Sequence, residues 1–164
     1  MIPAYNHIYL SKASRAVANM LHNAVLEFGY DGNAFLQFFI QSGVAAQIED
    51  GNPNYIAGKS GMELFRDVIY VTTGEQVQGS VIATYDRSDV YWAGWILVQY
   101  QWYSGRSFQD ILEVIPYDDL LGLYDTLHEA DVHKAYEVMD EHFALCESKL
   151  KRIRKKRGMT QEML

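Results

Sequence analysis

Four short stretches hold the residue types that do chemistry in proteins. Gly58-Lys59-Ser60 carries the end of the phosphate-loop pattern G-x-x-x-x-G-K-[ST]. The first glycine of that pattern would fall on Pro53, and no strand precedes the loop, so the motif fails. Ser60 and Glu63 instead form the S-x-x-E capping box, which opens a helix. Lys59, beside the N–H groups of that helix start, is left as a candidate anion contact. His128, Glu129, Asp131 and His133 are metal-binding types, but the histidines are five apart and fall on different sides of a helix. No metal or cofactor is expected. Cys146, the single cysteine, is read as a small apolar residue on a helix, since nothing nearby would activate it.

The fourth stretch, residues 85–108, reads YDRSDVYWAGWILVQYQWYSGRSF. Trp92, Trp95, Gln99, Trp102 and Tyr103 recur at helical intervals, with Tyr85 and Arg87 before them and Arg106 after. One reading is a central core helix whose aromatic polar tips are satisfied by neighbours. The other is a pocket or partner surface, because Tyr, Trp and Arg dominate binding hot spots. No nucleophile, base and orienting group can be assembled from any of these stretches, so an enzyme is not expected.

The elements that must position these residues are helices. Ala13, Val17, Met20, Leu21, Ala24, Val25 and Phe28 form an amphipathic stripe, with Ser11 as N-cap and Gly29 as stop. A second helix follows Asp31 or Asn33 and ends at Gly43. A helical turn and a loop around residues 51–54 lead to the helix begun by Ser60, which runs to about Thr72. After a looser stretch, with a short extended segment at 80–85, Ser88 or Asp86 caps the most apolar helix, 89–104. It is apolar nearly all round and therefore central. Further helices follow over 107–115 and 117–130, and Asp131 opens the last, with Val132, Ala135, Val138, Met139, His142, Phe143 and Cys146 inward. The expected fold is all-α, a bundle-like domain of about seven helices.

Composition agrees with one globular body: 164 residues, 49% hydrophobic, three prolines. The longest apolar stretch, 90–103, is interrupted by Gln99 and Gln101 and is too short for a bilayer. With no leader pattern at the start and one cysteine, a cytoplasmic chain without membrane contact is expected. Charge divides it sharply. Residues 1–148 hold 7 Lys and Arg against 20 Asp and Glu, a net of −13; residues 149–164 hold 7 against 1, a net of +6. Phosphate backbone would repel the first part and attract the second.

The basic end is also the most specific sequence signal. Leu150, Lys151, Ile153, Arg154, Gly158, Thr160, Gln161 and Leu164 follow the pattern L-[KR]-x-[IL]-R-x-x-x-[GN]-x-[ST]-Q-x-x-[LF]. These residues resemble the start of lambda-repressor-like (xenobiotic-response-element) helix-turn-helix domains. The resemblance implies that Leu150 and Ile153 face that small domain's core, that Gly158 turns the chain and that Thr160 caps the next helix. It further implies that Arg152, Lys155, Arg157, Thr160 and Gln161 meet DNA phosphates in an intact protein. The recognition helix comes after the matching residues, so reading of DNA sequence needs a completed helix-turn-helix. Residues after about 150 should extend the last helix, dock on a neighbour or move freely.

The stretches FIQSGVAAQIEDGNPNYIAGKSGMELF and YDRSDVYWAGWILVQYQWYSGRSF also resemble the N-terminal region of bacterial proteins in which such a domain follows. The expectation is an acidic sensor or interaction domain, 1–148, followed by the basic start of a helix-turn-helix, 149–164. The body would pair protomers, giving a homo-oligomer and most simply a dimer, or capture a protein partner, as antitoxin-like regulators do. The alternatives are a stand-alone interaction module without a DNA role, and a small-molecule-binding protein or enzyme that uses the 85–106 region.

Overall fold

A computed structural model describes residues 2–79 and 88–162, and among these every regular element is helical. There are ten helices: α1 (Leu10–His22), α2 (Gly32–Gln41), α3 (Val44–Glu49), α4 (Pro53–Ile56), α5 (Gly61–Thr73), α6 (Asp89–Ser104), α7 (Phe108–Val114), α8 (Tyr117–Gly122), α9 (Tyr124–Leu127) and α10 (Val132–Glu162). The all-α expectation is met. The number exceeds seven because the 51–54 loop ends in the single turn of α4, the turn at 44 is a helix in its own right, and the helix expected over 117–130 divides into α8 and α9. The extended segment expected at 80–85 lies outside the described residues.

Local chemistry explains most boundaries. Asp31 caps α2 by accepting from the Ala34 N–H at 3.0 Å, and the Ser60–Glu63 capping box opens α5. The Ser88 Oγ accepts from the Tyr91 N–H at 3.1 Å and starts α6. Gly74 and Gly105, at φ of 78° and 71°, close α5 and α6 in a left-handed conformation that costs glycine nothing. One expectation fails, and the helix ends at Gly29 as expected. Ser11 is inside α1, because a 3-10 turn over His7–Tyr9, capped by Asn6, begins the helical chain earlier. At its other end α1 widens into a π-turn, Asn23–Glu27, with the Phe28 N–H reaching the Asn23 carbonyl at 2.9 Å before Gly29.

The core forms around α1 and α6. Ala13, Val17, Met20, Leu21 and Ala24 are essentially inaccessible, as the stripe predicts. Two glycines let other helices close on α1. A Cβ on Gly94 of α6 would lie 2.9 Å from the Ala18 Cα, and one on Gly61 of α5 would lie 2.8 Å from the Ala16 carbonyl oxygen. Residues 96–101 of α6 are all buried, which requires neighbours on every side. Gln99, in the middle of that run, donates from Nε2 to the Ser14 Oγ at 3.0 Å, and its Oε1 accepts from the Tyr136 hydroxyl at 3.1 Å. One amide thereby joins α1, α6 and α10 in the core and leaves neither hydroxyl without a partner.

Helix α10 has 31 residues and, at about 1.5 Å each, extends roughly 46 Å. Its inner side repeats at alternating four- and three-residue steps: Val132, Tyr136, Met139, Phe143, Cys146, Leu150 and Ile153. Tyr136, Met139 and Phe143 are buried against the body, whereas every side chain from 147 to 158 is exposed. The helix also runs unbroken through Gly158 and Thr160 to Glu162, so the turn expected at Gly158 is not formed. One glycine costs a helix only about 1 kcal/mol, and the Lys, Arg, Met, Gln and Glu residues around it are good helix formers. No described helix is long and apolar enough to cross a membrane.

Candidate functional site: an aromatic groove and a basic helical arm

A groove of about 730 Å³ lies between α6, α9, α10 and the first turns of α1. α6 supplies Tyr91, Trp92, Trp95 and Ile96 to its wall, and α9 with its C-terminal turn supplies Tyr124, Leu127 and His128. Trp92 meets Tyr124 edge-on, with ring centroids 6.1 Å apart, and Tyr124 lies flat on His128 at 4.1 Å. Val132 and Ala135 of α10 form an apolar floor, and Ser11 and Arg15, one turn apart on α1, stand at the lip. Of the described residues singled out between 85 and 106, the structure brings Trp92 and Trp95 into this groove.

The others are distributed elsewhere. Gln99 is the core amide described above. Trp102 faces the N-terminal segment, where its indole N–H donates to the Tyr5 carbonyl at 2.8 Å. Tyr103 stacks on Tyr136 at 4.2 Å and 7°, and the Arg106 guanidinium sits 3.8 Å over the Phe143 ring. These last two contacts, with the Tyr100 hydroxyl donating to Asp140 at 2.7 Å, clamp α10 to the end of α6. Burial, together with the Asp140 bond, pushes the Tyr100 phenol well above its ordinary pKa. Tyr85 and Arg87 lie outside the described residues.

Lys59 does not line the groove. It pairs with Asp67 and lies 4.7 Å over the Tyr55 ring, in a small cleft that also holds Gln47 and Tyr70. The hydrogen bond to Asp67 raises its pKa and keeps it charged. An anion at Lys59 would have to compete with that carboxylate. The four residues of the 128–133 stretch do not converge: His128 is stacked on Tyr124, and His133 meets the edge of Tyr136 at 5.6 Å. Among the described residues no group of three His, Cys, Asp or Glu could hold a metal ion.

The second feature is the arm, the part of α10 beyond the body. Lys149, Lys151, Arg152, Arg154, Lys155, Lys156 and Arg157 are all exposed, and no acidic residue lies among them. Leu150 and Ile153 are each 48% exposed, so the apolar seam of α10 continues past the body without cover from it. Arg152, Lys155 and Arg157 thus share one projecting helix, whereas the side chains of Thr160 and Gln161 lie outside the described set.

In the sequence Arg15 and Tyr124 carried no site assignment, while Ser11 was read as an N-cap and His128 as a metal-binding type rather than as parts of a groove. Tyr124 and His128 are four apart, a spacing that pairs side chains on a helix and could have marked them; Arg15 carried no such signal. Fold and site together define an all-α body with an aromatic groove and a projecting basic helix. No family model matches the chain, and neither a curated protein nor a solved structure does.

Proposed function

We propose that residues 1–148 are the partner-binding or oligomerising region of a transcription regulator, and that α10 carries a basic segment from this region to DNA phosphates. The observation behind this reading is α10 itself: one continuous helix that is packed into the body at Tyr136, Met139 and Phe143 and presents seven exposed cations beyond it. Such a helix carries the basic segment directly away from the packed part of the acidic body. A net charge of −13 keeps the body off the phosphate backbone and leaves contact to the arm. The half-exposed Leu150 and Ile153 support the resemblance to the helix-turn-helix start, because in that family these positions belong under a further helix. The body would pair protomers or capture a protein partner, the latter as antitoxin-like regulators do.

Hydrogen exchange with and without duplex DNA at low salt tests the division of labour. Protection should appear in residues 149–162 and not in 1–148. Protection in the body, or none anywhere, would contradict it. Sedimentation of the same sample reads the oligomeric state, for which two half-sites ask for a dimer.

A further inference from the structure

We propose that the groove between α1, α6, α9 and α10 binds a flat aromatic molecule carrying a carboxylate. A volume of about 730 Å³ suits one small organic molecule, and the groove joins apolar and aromatic walls to the polar side chains of Ser11, Arg15, His128 and Glu129. Trp92, Tyr124 and His128 hold one another by edge-on and stacked contacts, so that wall is set before a ligand arrives. Trp95 is only partly covered by the protein and offers ring surface to an occupant, and Ile96, Val132 and Ala135 supply apolar contact.

The charge of the ligand follows from Arg15. Among the described residues it makes no ion pair; its one bond is from Nε to the Ser11 carbonyl at 3.4 Å. In a body with 20 carboxylates, a guanidinium at the lip of an aromatic groove is a placed positive charge. Its planar fork matches a carboxylate in two parallel hydrogen bonds, and the exposed Ser11 hydroxyl stands one turn away. The only acid among the described lining residues, Glu129, has a side chain 89% exposed, 3.7 Å from His128. A ring held against Trp95 with its carboxylate at Arg15 therefore uses both the apolar walls and the cation. Val132 and Ala135 belong to the first turns of α10, so an occupant would also brace the helix that carries the arm. The site stands whether or not that arm meets DNA.

The test uses the intact chain and matched probes: 1-naphthoate and indole-3-acetate, with tryptamine as the cation that shares the indole ring. At about millimolar concentration the two carboxylates should raise the melting temperature and shift the indole N–H resonances of Trp92 and Trp95, and tryptamine should not. Arg15→Gln, an exposed substitution, should leave the unliganded melting temperature in place and weaken carboxylate binding about tenfold, the scale of one lost charge-assisted pair. The proposal is overturned if neither carboxylate shifts those resonances. It is also overturned if tryptamine binds as tightly, which would make Glu129 the anchor, or if Arg15→Gln leaves the affinity unchanged.

Discussion

Glu49, at the end of α3, accepts the Phe108 N–H at 2.8 Å and so ties α3 to the start of α7. Burial raises its pKa, the Phe108 bond opposes this, and Asp50 and Asp110 raise it again. A carboxyl whose folded pKa is raised contributes stability below its unfolded pKa and loses that contribution as pH rises through the folded value. Glu49→Gln keeps an acceptor for Phe108 and removes the charge. It should therefore raise the melting temperature at neutral pH, by no more than about 1 kcal/mol of stability, with the gain vanishing in acid. Thermal melts across that range check it. Gln99 has the opposite standing: Gln99→Leu strands the Tyr136 hydroxyl in the core, and with it one bond of Ser14, and should cost about 2–4 kcal/mol in urea unfolding. The sequence marked Gln99 as a candidate binding residue, since a helical period shows which side a residue lies on but not what packs there.

At the scale of elements, the boundaries set by local chemistry were legible. Ser88 and Gly105 bracket α6 at its expected limits, and Ser60 with Glu63 opens α5. Boundaries set by tertiary packing were not. Ser11 has the chemistry of an N-cap, yet Asn6 starts the helical chain, and Tyr5 beside it is buried with its carbonyl held by Trp102, 97 positions away. The aromatic groove was half legible: Trp92 and Trp95 stood out, but Arg15 and Tyr124 join them only through the fold. The glycines of α6 and α5 were likewise interpretable only with α1 in place. Gly94→Ala would force α6 away from the Ala18 backbone and should destabilise by about 1–3 kcal/mol, whereas alanine at the open Gly122 should not. Paired urea titrations of the two variants separate close helix packing from a general effect of removing glycine.

Across the whole molecule, four buried tyrosines share one pH response. Burial pushes Tyr117 and Tyr136 up to about 12, and Tyr5 and Tyr100 are raised also. In the unfolded chain a phenol ionises near its ordinary value of about 10. The stability from keeping them protonated is complete below that value and is lost as pH rises through the folded pKa values, so unfolding should steepen above about pH 10. The part of the tyrosinate absorbance that belongs to these four should rise together with the loss of circular dichroism. The other property of the whole is the charge division, −13 on residues 1–148 and +6 on 149–164, with α10 crossing from one to the other. That division is readable without the fold, because charge needs no fold to be counted; the fold adds that the arm continues the helix packed into the body. The most direct test of the account is the affinity of this chain for duplex DNA over a salt series, beside a variant with Arg152, Lys155 and Arg157 changed to Gln. Weak binding is predicted, with log K falling against log salt at a slope of about −4, and with a slope shallower by about 3 in the variant. Equal slopes for the two proteins, or no binding by the parent even at the lowest salt, would contradict it.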